Sequence, residues 1–443
     1  MSSIPQVATT LQTVLGPDLE PIGRRTGVIQ RLRKFSAEIL LKMLVFTLLK
    51  SPNPKAKDYV SRAAQLGLIL TERAVKKRFT PRLVTFLRAV LERLMQHMVT
   101  AAPVDSALLA KFTSVRVGDS TTVTLPADCA GEFPGCGGKA GSGTAALKIQ
   151  VLWDLITGQL LKVLLEPGRA SDAKSAVVEE TPPARSLSLW DLGYFCLQRF
   201  ARWSAAGAYW IARWQPGTVV LNPDGTPLNL LQRLRQHTWD GPLDLAVLLG
   251  STERVACRLL ALRVPPEVAA RRRPKAYEKA QTSGRTPTHA HLQGCDWTIL
   301  VTNCSADLLT WKEVVVLYRS RWQIELLFKL WKSHNRLATH AESQSVAWQM
   351  AEFWAKLIGV ILQHWLLLTL TWFDARRSLW KAATELREWI TVLQEALGDV
   401  ARLCDALSRM QAAIVAVARV NVRKKKPSWF QLVENPELLE YTY

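Results

Sequence analysis

The sequence predicts an α/β protein in which a core is interrupted by a β-rich insertion and flanked by helical regions at both ends. Three observations carry this. Before residue 100 and beyond residue 310, apolar residues recur at helical spacing. Between 113 and 165, β-branched residues and alternation mark strands joined by short turns. From 187 to 214, a short apolar strand, a helical stretch and a second strand follow one another, the pattern of a sheet covered by helices.

The elements justify this in order. Residues 22–100 read as helical: Ser36 to Leu49 is apolar with sparse charge, and Thr71 to Met98 mixes apolar and basic residues at helical spacing, with Thr80 and Pro81 as the cap and first turn of a new helix. Val115, Val117 and Asp119, followed by Thr121 to Thr124, make a strand. A Gly-rich loop, Gly131 to Gly143, leads to a hairpin of Ala146 to Asp154 and Gln159 to Leu165, turning at Ile156, Thr157 and Gly158. Leu187 to Trp190 is a short strand running into Asp191, and Tyr209 to Trp214 is another after a helical stretch. An antiparallel meander followed by alternating helices and strands is the order of a ribonuclease H-like α/β core. Residues 216–310 read as the β-rich insertion, with strands at Leu243 to Leu249, Cys257 to Val264 and Trp297 to Thr302 and a basic polar loop from Pro265 to Gln293. Beyond Thr310 the chain turns helical to about Val420. The division expected is a helical region at 1–105, a core at 106–215 and 311–370, the insertion at 216–310, and a helical C-terminal region at 371–443 that is a candidate for dimerisation.

A net charge of +20 and a pI near 9.9 point to a polyanionic partner, because basic surface gains affinity by releasing counterions from phosphates. The first hundred residues hold 17 Lys and Arg against 6 Asp and Glu. Their charge is densest at Arg31 to Lys34 and Lys76 to Arg78, which makes 1–105 the expected DNA-binding region, and further basic runs at Arg271 to Lys275 and Arg423 to Lys426 suit an extended basic channel better than one tail. Seven scattered cysteines fit a reducing interior and not a disulfide framework. His289, His291 and Cys295 lack the second ligand pair of a zinc site. Met1 to Pro21 has no basic start followed by an apolar stretch, so the chain is expected to stay in the cytoplasm. Phe353 to Phe373 is apolar enough to be mistaken for a membrane span, but Lys356, Gln363 and His364 interrupt it and a buried helix is expected, with no membrane partner.

The most informative segment runs from Tyr318 through Arg321 and Glu325 to Lys332. On a continuous helix these four fall within about 60° of one another, while Ile324, Leu327, Leu330 and Trp331 take the opposite, buried side. A solvated, salt-bridged face would give the same stripe. The spacing Y-x2-R-x3-E-x6-K resembles the Tyr-Arg-Glu-Lys signature of DDE transposases of the insertion-sequence-four family, and the likeness extends, with decreasing clarity, over residues 110 to 370. Two further motifs fit it: Gly118-Asp119-Ser120-Thr121 on the opening strand, and Asp191 in Trp190-Asp191-Leu192-Gly193-Tyr194-Phe195.

The resemblance implies that Asp119, Asp191 and Glu325 are the catalytic carboxylates and hold two Mg²⁺ ions, with Mn²⁺ able to substitute, Asp119 bridging them. Such a pair, about 3.5 to 4 Å apart, activates water and stabilises the leaving oxygen of a phosphodiester; hard cations take oxygen ligands. Asp154 and Asp172 compete for this role, but Asp154 suits the hairpin turn and Asp172 a helix start; Asp191 has an alternative reading as a helix cap. By the same resemblance Tyr318, Arg321 and Lys332 contact the cleaved DNA end, Trp297 stacks on a flipped base, and Arg213 touches backbone phosphate. A tryptophan at a strand start is equally a core residue. The implied activity is cut-and-paste transposition on chromosomal or plasmid DNA, with inverted-repeat ends and target DNA as partners and a homodimer in the synaptic complex. A ribonuclease H-like nuclease, and a non-catalytic DNA-binding descendant of a transposase, are the alternatives.

Overall fold

The structure is a computed structural model describing residues 3–30, 35–97, 99–137, 144–237, 241–282, 284–338 and 344–439, without the side chains of 279 and 289–291. The basic run Arg31 to Lys34, part of the Gly-rich loop and the His289 and His291 side chains therefore lie outside the described residues.

The chain opens with the helices α1 (Ile4–Leu15), α2 (Glu20–Arg25), α3 (Ala37–Lys50), α4 (Ala56–Gln65), α5 (Glu72–Lys76) and α6 (Pro81–Leu94). Their starts are set by short polar side chains that satisfy otherwise orphaned amides. Ser36 Oγ accepts from the Ile39 amide at 3.1 Å, and Thr80 does the same for Leu83 ahead of Pro81, where proline's missing N–H costs nothing. Strand β1 (Val115–Leu125) follows, then the hairpin of β2 (Ala145–Asp154) and β3 (Leu160–Pro167), β4 (Leu187–Trp190), α7 (Leu197–Ala205) and β5 (Tyr209–Arg213). The next stretch holds β6 (Val220–Leu221), α8 (Leu230–Gln236), β7 (Leu243–Leu249), β8 (Val255–Arg263), α9 (Pro266–Thr282), α10 (His289–Gly294) and β9 (Trp297–Thr302). Helices α11 (Trp311–Ser320), α12 (Trp322–Lys329), α13 (Val346–Thr371), α14 (Leu379–Ala396), α15 (Val400–Val417) and α16 (Trp429–Glu434) complete the order.

The nine strands among the described residues form one sheet in the order β3-β2-β1-β4-β5-β9-β8-β7-β6, a mixed α/β arrangement with helical flanks. Strands β1, β4 and β5 are parallel, whereas β9 runs antiparallel to both β5 and β8. The strands of residues 216–310 thus extend the same sheet.

Two expectations are corrected. The basic stretch from Pro265 to Gln293 is not a loop but mostly the helices α9 and α10, because Ala, Glu, Arg and Lys are strong helix formers however polar the segment; Pro274, exposed within α9, does not prevent it. The signature segment is not one continuous helix either. Arg321 caps α11, α12 starts at Trp322, and Leu330–His334 is a π-turn whose wider winding lets Leu330, Trp331 and His334 all bury. Ile324, Leu327, Leu330 and Trp331 are buried as expected.

By compactness the chain forms two units, residues 1–105, 120–170 and 324–421 in one, and 106–119, 171–323 and 422–443 in the other. The first has α13 at its centre. This helix is long and apolar enough to cross a membrane, yet 94% of its most apolar window is buried within the protein. It holds the β2–β3 hairpin through polar atoms at the turn. Trp153 Nε1 and His364 Nε2 both donate to Gly158 O at 2.8 Å, and Trp372 Nε1 donates to Ile156 O at 3.0 Å. Gly158 takes φ +69°, and a Cβ there would stand 2.3 Å from Leu368 and 2.5 Å from Trp372, so only glycine closes this turn. Asp154 is consumed by the same turn, accepting from the Ile156 amide and from Thr157 Oγ1 at 2.7 Å. The second unit contains β4 to β9 and the helices that cover them.

Candidate active site

The register of three parallel strands builds the site. Val117 pairs with Leu189 and Leu189 with Ile211, and Trp190 pairs with Ala212. Carried two residues on, the same register sets Asp119 beside Asp191, and Asp191 beside Arg213, with Asp191 still extended at φ −79° and ψ 168°. Because side chains alternate along a strand, the three point to one face of the sheet, about 5 Å from strand to strand.

The opposite face explains why they are held there. Gly118 and Trp190 share it, and a Cβ on Gly118 would lie 2.1 Å from the Trp190 ring. Beneath them α7 packs its aromatics, with Phe200 stacked on Trp210 at 4.3 Å and Trp203 against Trp190 at 5.9 Å. Gly118→Ala is therefore expected to push β1 off β4 and to cost about 1–3 kcal/mol of stability, whereas Gly193→Ala, with no atom within 4 Å of its Cβ position, is the neutral control. Urea unfolding of the two variants checks this; equal midpoints would contradict it.

Helix α11 lies over the acidic row. Arg321 Nη1 donates to Asp119 Oδ2 at 3.3 Å, with the two side chains 15% and 22% exposed. The Tyr318 hydroxyl is buried without a well-formed hydrogen bond. Burial pushes its pKa above the ordinary value and Asp191 pushes it further, against the smaller opposing pull of Arg321 and Arg213. Tyr318 is thus a neutral phenol in the field of Asp191, Arg321 and Arg213. Asp191 opens a short 3-10 turn but makes no capping hydrogen bond, so the capping alternative does not use its side chain. Glu325 follows Arg321 by four residues, on α12, and is half-buried. Lys332 sits in the π-turn and donates to Thr122 O at 3.1 Å.

Trp297 stands apart from this group. It pairs with Arg263 on β8, and alternation along β9 turns it to the face opposite Leu300, the partner of Arg213. Its ring lies 6.5 Å from that of His237.

Sequence reasoning missed what fixes α11. Thr310 and Glu313 form a reciprocal cap, and Glu313 also binds Lys111 at 2.7 Å. From the C-terminal segment, Trp429 Nε1 donates to Ser320 Oγ at 2.6 Å and Glu437 pairs with Lys312 at 2.6 Å. Apart from the Thr310–Glu313 cap, which is a local signature, these partners lie more than a hundred residues away in sequence, and no local pattern announces them.

The donor chemistry of the acidic pair fits a divalent cation, since two hard carboxylates stand side by side without histidine or cysteine. Among the described residues, no three His, Cys, Asp or Glu side chains come together closely enough to hold one ion.

Comparison with known proteins matches residues 110–358, more than half of the chain, to the transposase DDE domain, and the chain belongs to that family. It is similar to the transposase of insertion sequence element IS231F of Bacillus thuringiensis subsp. israelensis, 25% identical over 96% of this chain and 94% of the relative. The transposase of IS1151 of Clostridium perfringens is 22% identical over 80% and 78%. The putative transposase InsL for IS186A of Escherichia coli K12 is 26% identical over 56% and 64%. The chain is thus an insertion-sequence transposase, an enzyme that acts on DNA and whose domain depends on divalent metal ions.

Proposed function

We propose that this transposase cuts DNA at the ends of its element and joins the freed ends to target DNA, and that it is of the insertion-sequence-four type. The observation that carries the reading is the row Asp119, Asp191 and Arg213 on one face of the sheet, met by Tyr318 and Arg321 from α11. The order β3-β2-β1-β4-β5 supports a ribonuclease H-like core. Asp119, Asp191 and Glu325 hold two Mg²⁺ ions, for which Mn²⁺ substitutes. When bound, these supply an activated water or 3′-hydroxyl and neutralise charge on the leaving oxygen. Arg213, Arg321 and Lys332 orient the DNA end through its phosphates, and Tyr318 donates its phenolic proton as a neutral hydrogen-bond donor. The strand position of Trp297 gives its base-stacking role less support than the others have. Residues 1–105 recognise the element's ends, residues 371–443 serve dimerisation in the synaptic complex, and the protein works in the cytoplasm on chromosomal or plasmid DNA.

Incubation of the purified chain with Mg²⁺, a duplex carrying the element's end and a supercoiled target tests this reading. Covalent joining of the end's 3′-hydroxyl to the target is expected; cleavage without joining would instead favour a ribonuclease H-like nuclease.

The contact between Arg321 and Asp119 gives Arg321 a second task beside the DNA end. Guanidinium carries five donors in a planar fork and spans a carboxylate and a phosphate together. Arg321→Ala and Lys332→Ala are each expected to weaken binding to a cut end about tenfold, the size of a lost charged hydrogen bond, and uncut duplex less. Only Arg321→Ala should also change the metal concentration needed for cleavage. Titration against both duplexes at one salt concentration decides; equal loss on the two would reduce the pair to general backbone contacts.

A further inference from the structure

The match to the transposase DDE domain ends at residue 358, and nothing in the chemistry above uses the last stretch of chain. Yet residues 422–443 belong by compactness with Asp119, Asp191 and α11, whereas α14 and α15 belong to the other unit. Helix α16 packs on α11, and the two run antiparallel. Trp429 at the start of α16 bonds Ser320, the neighbour of Arg321, while Glu437 past its end pairs with Lys312 at the start of α11. Phe430, Val433 and Leu439 are buried and seat the segment. The start of α16 therefore lies at the end of α11 that carries Tyr318 and Arg321.

Just before α16 stand four consecutive cations, Arg423, Lys424, Lys425 and Lys426, all exposed and none in an ion pair among the described residues. They ride on a loop whose neck is closed by one side chain. Gln431 Oε1 accepts from the Arg423 and Ser428 amides, each at 3.0 Å, and Gln431 Nε2 donates to Arg423 O at 3.1 Å. From Lys424 to Trp429 is at most about 18 Å of extended chain, and the closed neck brings the loop nearer. Like charges repel, so a plain linker would spread them along an open chain. Here they are gathered at the catalytic end of α11.

We propose that this closed loop is a docking site for the phosphate backbone of the target duplex. A target strand must pass the carboxylates while the cut end still occupies Arg213, Arg321 and Lys332, so it needs phosphate contacts of its own beside α11. The loop supplies them in a form suited to any sequence: three of its four cations are lysines, compact charges on flexible stems that hold phosphates without reading bases. This deepens the proposal that freed ends are joined to target DNA, and it rests on that reading for its biological role. The docking contact itself needs neither metal nor chemistry.

Capture of a second duplex tests it. The full chain is loaded with a pre-cut end duplex, without divalent metal, and titrated with a labelled duplex of random sequence at salt from about 50 to 200 mM. The wild-type complex is expected to capture the second duplex with an affinity that falls as salt rises. Replacing Arg423, Lys424, Lys425 and Lys426 together by alanine should weaken capture at least about tenfold at fixed salt. It should also flatten the log-log salt dependence by about 3 to 4, close to one for each lost phosphate contact. Affinity for the cut end, and the rate of end cleavage in Mg²⁺, should change less than about twofold. All four side chains are exposed, and unchanged circular dichroism confirms folding. No capture by the wild type, or capture and salt dependence unchanged in the variant, overturns the proposal. Equal loss on the cut end and the second duplex also overturns it, leaving a general effect of net charge. A wild type that captures the duplex but cannot join it in Mg²⁺ sinks the joining reading and leaves this docking site standing.

Discussion

Asp119→Ala, Asp191→Ala and Glu325→Ala are each expected to abolish cleavage while leaving binding of the uncut element end largely intact. Asp119 and Asp191 come to lie side by side through strand register alone, so removing either carboxylate leaves β1 and β4 in place. Removing even the outer partners of metal ligands costs about 10–100-fold in affinity or activity, so loss of a ligand should exceed about 100-fold. In the proposed site phosphate contacts come from other side chains, and affinity for uncut DNA should therefore persist. Rates of end cleavage in Mg²⁺, with binding measured on the same duplex, check both halves. Asp154→Ala provides the contrast: its carboxylate is engaged by the Ile156 and Thr157 groups of the hairpin turn, so it should lose stability before it loses chemistry. A dead but well-folded Asp154→Ala beside an active Asp191→Ala would move the second ligand to the hairpin.

Acid should destabilise the unit built on α13 through one side chain. His364 is buried and donates Nε2–H to Gly158 O, and burial depresses its pKa from 6.5 to about 4. The folded state thus resists protonation that the unfolded chain accepts. Stability contributed by the neutral ring is complete above pH 6.5 and is lost as pH falls from 6.5 to about 4, up to about 3 kcal/mol. His364→Gln keeps an amide donor for Gly158 O but cannot take up a proton. Urea unfolding from pH 7 to pH 4 should show a shallower loss of stability in the variant than in the wild type. Parallel curves would mean that His364 titrates normally and that the hairpin is not held as described.

Much of this was legible in the sequence because it is written locally. Ser36 and Thr80 announce helix starts by their own side chains, and the alternation around Asp119 marks a strand whichever partner it finds. The turn at Gly158 shows in three residues. Other features depend on distant partners. The polarity of Pro265 to Gln293 suggested a loop, although its composition favours helix when one side packs, as Arg272 does by donating to Trp297 O and Thr298 Oγ1. The stripe from Tyr318 to Lys332 holds on a regular helix, and the break at Arg321 and the π-turn at Leu330 follow from burial demands that a 100° wheel does not contain. The pairing of Arg321 with Asp119 spans 202 residues, and that of Trp429 with Ser320 spans 109. Charge locates the basic N-terminal region, but the packing of Tyr59 on Glu352 spans 293 residues and shows in no local pattern.

Metal ligation by Asp119 is the centre of the account, and a change of ligand tests it most directly. Thiolate is a softer donor than carboxylate and binds Mg²⁺ poorly while accepting Mn²⁺ better. Asp119→Cys, assayed for end cleavage in each ion, should be inactive in Mg²⁺ and regain part of its activity in Mn²⁺, while Asp119→Ala stays inactive in both. Cleavage by Asp119→Cys in Mg²⁺ at the wild-type rate would show that the residue binds no metal and would contradict the assignment.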